Sequence, residues 1–325
     1  MIQNIFIYYA QGTDPYRNLA TEKVLMDALK PGEALLYLWQ NLNTVVIGKN
    51  QNAWLECRTS LLEEEGGKLA RRLSGGGAVY HDLGNLNFTF CMCREDYDLD
   101  KQIAVIAKAC ALAGIHAEKS GRNDLLADGK KFSGNAFYQD KLHAYHHGTL
   151  MVDVDKEKLG RYLSPPKAKL QAKGVASVRS RVVNLKELSP ALTIDAMREY
   201  MVKAFGDIYA LPVLPFIMND TQIAEVKRLE ALYSSWEYLY GGPLAFTFCC
   251  EEKFDWGYVQ LQLEAKGGVI TAAKVYTDSM DWELAPQTEA ALTGCMFRLD
   301  SMKQALTQRI DVAKDICSML ERQEI

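Results

Sequence analysis

Three consecutive glycines, Gly75, Gly76 and Gly77, sit inside the stretch Leu69–Phe90, LARRLSGGGAVYHDLGNLNFTF, and no packing need explains them. They have no side chain to bury and cost backbone entropy to order. What a glycine run offers is close approach: successive backbone N–H groups reach a ligand's anionic oxygens, here with Arg71 and Arg72 entering from one side. The stretch reads as a cradle for a phosphate or a carboxylate. A tight glycine turn between strands over 68–72 and 78–80 is the plainer alternative. Ser74, His81, Asp82, Asn85 and Asn87 crowd the same loop, and loops are where sites sit. Neither common phosphate motif is present. G-x-x-x-x-G-K-[ST] is absent, and Gly75-Gly76-Gly77-Ala78-Val79-Tyr80 lacks the last glycine of a dinucleotide fingerprint.

The totals narrow the class. A chain of 325 residues suggests a large domain with a small one, or two of similar size. With 48% hydrophobic and 24% charged residues it has the composition of an ordinary folded soluble protein. A formal net charge of −4 gives no global electrostatic reason to bind nucleic acid or a membrane surface, so neither partner is expected. The apolar run Ile5–Ala10 is too short and lacks a basic flank, so it reads as a first strand, and a cytoplasmic location is expected. The cysteines, Cys57, Cys91, Cys93, Cys110, Cys249, Cys250, Cys295 and Cys317, form no C-x-x-C pair and suit reduced, mostly buried thiols.

Along the chain, Thr13 or Asp14 caps a helix begun by Pro15, with Leu19, Val24, Leu25 and Ala28 on its apolar side. Strands are expected at 34–39, 44–48, 87–93, 116–119, 124–127, 131–138 and 144–153, and helices at 60–65, 101–113, 193–205 and 220–238. Turns at Asp128-Gly129 and Gln139-Asp140 imply antiparallel hairpins. The basic stretch Lys167–Arg181 reads as a loop over the site or as a solvated face. Gly241-Gly242-Pro243 breaks the pattern and places the domain boundary. Beyond it, strands at 244–250, 258–264 and 270–276 and helices at 300–307 and 311–321 describe a small α+β unit.

Two further clusters carry polar chemistry. In Gly121–Tyr138, Asn123 and Asp124 lead one strand and Lys130-Lys131 begin the next, so Asp124 and one lysine face each other across a hairpin. A carboxylate can hold Mg²⁺ and an ammonium on a long stem can reach a phosphate, while an exposed salt bridge beside a turn is the bland alternative. In Tyr145-His146-His147-Gly148-Thr149 the adjacent histidines point to opposite faces of a strand, so they do not jointly ligate a metal. No cysteine lies between Cys110 and Cys249 and no G-x-S-x-G elbow occurs, so a covalent acyl-enzyme is hard to build.

The motifs RRLSGGGAVYHDLGNLNFTF, GRNDLLADGKKFSGNAF, HHGTL and KGVASVRSRVVNL together resemble, in order, those of the lipoate-protein ligase A family. The resemblance implies an α+β fold similar to biotin protein ligases and class II aminoacyl-tRNA synthetases. That fold is a mixed sheet flanked by helices, with a catalytic domain over 1–240 and a small C-terminal α+β accessory domain over 244–325. It implies ATP-dependent activation of lipoate to lipoyl-AMP, then transfer to a lysine on lipoyl domains of 2-oxo acid dehydrogenase acyltransferase subunits and the glycine cleavage H protein. Carried over by motif, Lys131 touches both the lipoate carboxylate and the α-phosphate. Arg72 with Gly77, Ala78, Val79 and Tyr80 binds ATP, and Asn123 and Asp124 sit by the adenosine or the Mg²⁺. Arg72, Ser74 and His81 line the lipoate pocket. An ATP-independent octanoyl or lipoyl transferase and a non-catalytic lipoate-binding homologue are the alternatives.

Overall fold

The computed structural model describes residues 1–121, 123–163, 182–240, 248–266, 268–307 and 312–323. The expected basic loop at 167–181 and the boundary at 241–243 lie outside the described residues. In chain order the first elements are β1 (Asn4–Tyr9), α1 (Pro15–Asp27), β2 (Glu33–Trp39), β3 (Thr44–Ile47), α2 (Ala53–Glu56), α3 (Thr59–Glu64), β4 (Lys68–Arg71), β5 (Val79–His81) and β6 (Asn85–Cys93). Then come α4 (Leu99–Leu112), β7 (Glu118–Ser120), β8 (Asp124–Ala127), β9 (Lys130–Gln139), β10 (His143–Met151), α5 (Lys156–Tyr162), α6 (Leu185–Leu188), α7 (Ile194–Tyr209), β11 (Val213–Pro215), α8 (Asp220–Tyr233) and α9 (Trp236–Tyr240). The last part holds β12 (Phe248–Phe254), β13 (Gly257–Lys266), β14 (Val269–Thr277), α10 (Leu284–Leu292), α11 (Leu299–Thr307) and α12 (Ala313–Glu321).

The main sheet runs β11-β1-β2-β6-β10-β9-β8-β7. β11, β1 and β2 are parallel, and every later neighbour is antiparallel, as the short turns between β8, β9 and β10 require. Its central strand β6 explains the layering. Leu86, Phe88, Phe90 and Met92 point to one face and pack on Val105, Ile106 and Ala109 of α4 and Met197, Met201 and Phe205 of α7. Burying each such phenylalanine is worth about 1.5–3 kcal/mol. The alternate residues, Asn85, Asn87, Thr89 and Cys91, face the other way under α1 and α8 and are also buried. A row of buried polar side chains on one sheet face is the first structural mark of a site.

Local chemistry sets the helix ends. Asp14 caps α1, accepting from the Tyr16 and Arg17 amides, with Pro15 in the first turn. The expected helix over 220–238 breaks at Ser234-Ser235. There Ser235 Oγ donates to the Leu232 carbonyl and accepts from the Tyr238 amide, so the hydroxyl competes with the helix ladder. The sequence reading assigns nothing at α10, where Pro286 sits in the first helical turn, a position that loses no intrahelical bond.

A small sheet, β4-β3-β5, stands over the site face and carries the glycine loop between β4 and β5. The third sheet, β12-β13-β14, packs α10, α11 and α12 around its own core of Val259, Leu261, Leu263, Ile316, Met319 and Leu320. Among the described residues no helix is long and apolar enough to cross a membrane.

The turn after β14 joins the two bodies. Thr277 N donates to Asn50 O at 2.8 Å, Asn50 Nδ2 to Trp282 O at 3.0 Å, and Gly76 N to Ser279 O at 3.0 Å. Trp282 also packs against the Tyr138 ring at a 42° tilt and takes the Lys49 ammonium over its ring at 4.3 Å. Gly75 is packed so tightly there that a Cβ would lie 2.2 Å from Ser279 O. Gly75→Ala is therefore expected to lever the 277–282 turn off the glycine loop, raising amide exchange at Thr277 and Gly76 while leaving β6 protected. Unchanged exchange at both amides would contradict this packing.

Candidate active site

The glycine loop is built around Arg72, whose side chain is buried and turned inward. Its Nη2 donates to Gly75 O at 2.7 Å and Gly77 O at 2.8 Å, its Nε to Ser74 Oγ at 3.0 Å and Gly75 O at 3.1 Å, and its Nη1 to Val46 O at 3.2 Å. Burial pushes its pKa down to about 10, so it remains a cation at neutral pH. By collecting the Gly75 and Gly77 carbonyls, the guanidinium fixes the loop's peptide planes. Gly76 adopts φ +90°, a conformation suited to glycine. A Cβ on Gly77 would meet no atom within 4 Å, so the loop borders open space at that point.

That space is a cavity whose walls include Arg72, Gly76, Gly77, Ala78 and Val79 from the loop and Asn123, Lys131, Gly134 and Ala136 from the β8–β9 hairpin. Lys131 Nζ lies 2.7 Å from Asp124 Oδ1, a diagonal contact across a hairpin whose register pairs Asp124 with Gly134 and Lys131 with Leu126, and both side chains are about a third exposed, at 35% and 37%. The ammonium passes over Gly134, where a Cβ would sit 3.1 Å from Nζ. Asn123 is held by Asn135 through exchanged amide bonds, Asn135 Nδ2 donating to Asn123 O at 3.0 Å and Asn123 Nδ2 to Asn135 O at 3.2 Å.

The cavity continues under α1, between Leu19, Trp39, Val46, His81, Asn87, His147 and Thr149. One chain of hydrogen bonds ties this arm to the glycine loop. Trp39 Nε1 donates to Thr89 Oγ1 at 3.0 Å and Thr89 Oγ1 to Glu22 Oε1 at 2.7 Å. Glu22 Oε1 also meets His147 Nδ1 at 2.8 Å, and His147 Nε2 meets Ser74 Oγ at 2.8 Å. Ser74 Oγ already accepts from Arg72. The Glu22 carboxylate accepts from Nδ1–H, so in the neutral ring Nε2 accepts the Ser74 hydroxyl proton. Serine, histidine and glutamate stand in the order of a nucleophilic triad, yet Ser74 is 0% exposed and off the cavity wall. Here the hydroxyl is a tie between loop and sheet.

Of the residues expected from the sequence, Lys131, Arg72, Gly77, Ala78, Val79, Asn123 and His81 line the cavity. Tyr80 does not: its ring packs on Tyr162 and its hydroxyl donates to Asn43. Ser74 lies behind the wall, and Asp124, also off the wall, is ion-paired to Lys131. His146 and His147 do face opposite ways, His146 being held in the core by Gln102 and Asn135. Glu22, Trp39 and Thr89 carry no site reading in the sequence, whereas Asn87 is among the polar residues of the glycine stretch and lines the cavity. Glu22 had a sequence signal: with Asn18 and Thr21 it places polar residues among the buried positions of α1.

Metal ligands are sparse. Among the described residues the one cluster with metal-ligand spacing is Asp27, Asp140 and His143, and Lys23 occupies it with ion pairs to Asp27 at 2.5 Å and Asp140 at 3.7 Å. It lies outside the cavity. No cysteine of the described residues lines the cavity, and burial pushes the Cys91 thiol well up.

Two site-region histidines are titration-coupled to folding. Burial, followed by the charges of Arg72 and His147, lowers the His81 pKa to about 3, and burial lowers that of His146 to about 3. Each takes up a proton at about pH 6.5 when unfolded but only near 3 when folded. The unfolded state therefore binds more protons between those values, and stability present above pH 6.5 is lost as the pH falls. Each histidine is expected to cost about 2 kcal/mol between pH 6.5 and 5. Urea midpoints measured across that range should fall, and His146→Phe should flatten the slope; a slope unchanged by that substitution would contradict the assignment.

Comparison with known proteins gives the same picture. Residues 14–206 match the lipoyl protein ligase A/B catalytic domain family, and residues 244–325 match the bacterial lipoate protein ligase C-terminus family. The chain is 41% identical over 312 residues to the lipoate-protein ligase A of Bdellovibrio bacteriovorus, covering 94% of this chain and 92% of that one. Its fold superimposes on the crystal structure of P. falciparum LipL1 in complex with lipoate at a TM-score of 0.86. The identity there is 25%, over 98% of this chain and 99% of that one. A lipoate-protein ligase A bound with ATP matches at a TM-score of 0.65 and 24% identity, covering 74% of this chain and 99% of that one.

Proposed function

Because the chain belongs to the lipoyl protein ligase A/B family and carries the bacterial lipoate protein ligase C-terminus, we propose that it is an ATP-dependent lipoate-protein ligase. It activates lipoate to lipoyl-AMP with release of pyrophosphate and passes the lipoyl group to a lysine of a lipoyl domain. The observation that carries this reading is the place of Lys131. Its ammonium stands in the wall where the glycine loop meets the enclosed arm, held by Asp124.

The chemistry needs that junction. In the first step a lipoate carboxylate oxygen attacks the α-phosphorus of ATP and pyrophosphate leaves, so two anions meet. Fixed positive charge and N–H donors at the meeting point offset the repulsion. Lys131 supplies the charge to both partners and the loop amides supply the donors. Arg72 contributes by holding the loop, since its N–H groups are committed to carbonyls. Gly76 N is engaged by Ser279 O, so triphosphate use of that amide requires the 277–282 turn to withdraw. Mg²⁺ arriving with ATP would take Asp124 as its protein ligand, in keeping with a cation that binds through one carboxylate and phosphate oxygens.

In the second step the acceptor amine attacks the carbonyl carbon of lipoyl-AMP and AMP leaves. An acyl phosphate is already activated, and orientation contributes most of what remains. No enzyme nucleophile is needed, which agrees with a cavity wall free of cysteine among the described residues and disfavours the ATP-independent transferase. We assign residues 1–240 to catalysis and 244–325 to an accessory role beside the phosphate side of the cavity. As acceptors we propose the acyltransferase subunits of 2-oxo acid dehydrogenases and the glycine cleavage H protein, in the cytoplasm.

Lys131→Ala is expected to fold with the parental circular dichroism spectrum and to lose at least about a hundredfold in lipoate-dependent ATP–pyrophosphate exchange. Exchange at the parental rate in the variant would reject Lys131. No exchange in the parent would favour the non-catalytic lipoate-binding alternative.

A further inference from the structure

Lys49 is rooted beside the glycine loop. It follows β3, and its amide donates to Ser74 O at 2.9 Å. Its neighbour Gly48 is pressed onto the loop, where a Cβ would lie 2.3 Å from Gly76 O. Arg71 fixes this turn in place, its Nη1 donating to Lys49 O at 2.9 Å, Gln51 O at 2.7 Å and Gly48 O at 3.2 Å. The backbone of residues 48–51 is thus laid against Gly75 and Gly76.

The charges around the loop single out this lysine. Arg71 gives its N–H groups to carbonyls, Arg72 gives its own to carbonyls and Ser74 Oγ, and Lys131 is paired with Asp124. No carboxylate forms an ion pair with Lys49 among the described residues; its ammonium rests on the Trp282 ring at 4.3 Å. Burial lowers its pKa, and the charge of Glu283 opposes that shift. A half-buried ammonium of this kind is short of solvation and is stabilised by an anion.

The ring that holds it stands at the edge of the cavity. Trp282 packs against Tyr138, which follows Ala136 by two positions on one face of β9, and Ala136 is in the cavity wall. The turn that carries Trp282 also engages Gly76 N through Ser279 O. One displacement of that turn therefore frees an amide and an ammonium together.

Building on the ligase reading, we propose that Lys49 binds the β- and γ-phosphates of ATP and stabilises the departing pyrophosphate. In the activation step the carboxylate oxygen bonds to the α-phosphorus. The bond from that phosphorus to the oxygen bridging to the β-phosphorus breaks, and its electron pair leaves on pyrophosphate. No proton moves. Negative charge grows at the pyrophosphate end, while Lys131 serves the carboxylate and the α-phosphate. A compact ammonium on a flexible four-carbon stem, rooted beside Gly76, follows that charge.

The test uses the full chain, with inorganic pyrophosphate and Mg²⁺ as the binding probe. Lys49→Met and Lys49→Gln keep most of the stem and remove the charge, and Lys49→Arg keeps the charge. In calorimetric titrations each neutral variant is expected to bind pyrophosphate about tenfold to a hundredfold more weakly, the range for loss of a charge-assisted hydrogen bond, and Lys49→Arg to recover most of the affinity. In lipoate-dependent ATP–pyrophosphate exchange the KM for pyrophosphate should rise in step. Transfer from preformed lipoyl-AMP, which involves no pyrophosphate, should change by less than about twofold. Parental pyrophosphate affinity in either folded neutral variant would overturn the proposal and leave Lys49 a strut on Trp282. So would an equal loss in exchange and in transfer, the mark of a disturbed loop. Failure of the parent to exchange would instead overturn the ligase reading, and the pyrophosphate titrations would still decide Lys49.

Discussion

A buried guanidinium holds the site together. Arg72 brings a positive charge into the protein interior and spends its N–H groups on the carbonyls of Gly75, Gly77 and Val46 and on Ser74 Oγ. An unpaired charge there would be expensive, and an unpaired glycine loop would have too much freedom to hold one shape. Each problem is solved by the other. The loop gains a fixed curvature, and the cation gains neutral oxygen acceptors on every nitrogen in place of a direct carboxylate partner.

The same residue extends its influence through Ser74 to His147 and Glu22, so helix α1, the main sheet and the small sheet share one hydrogen-bond chain. Its polar members would be a liability in an ordinary core. Here they line or back a cavity, with β6 divided into an apolar face against α4 and α7 and a polar face toward the cavity. A single strand thereby serves as core and as cavity floor, because alternate residues look in opposite directions.

Much of this was legible in the chain. The glycine loop, the Asp124–Lys131 hairpin and the opposed histidines follow from turn chemistry and strand periodicity, and the structure places them so. Other features were illegible for physical reasons. Tyr80 belongs to the glycine motif yet points into the packing beneath β5, since neighbouring strand residues must face opposite sides. Arg72 read as a ligand-binding cation, and the structure shows its donors turned to the loop itself. The helix at Leu284–Leu292 was hidden by a proline that only its first turn could tolerate.

The sequence by itself determined the local elements, the buried alternation on β6, and which motifs carry the chemistry, because propensity, capping and period act over a few residues. Tertiary structure alone decided what those motifs face. Glu22 and His147 are 125 positions apart and Asn50 and Trp282 are 232 apart, and no local pattern records such a hydrogen bond. The position of the 277–282 turn on Gly75 and Gly76 arises only when distant elements close around a common space. Such partners are chosen by geometry, which the folded chain supplies and the linear order does not.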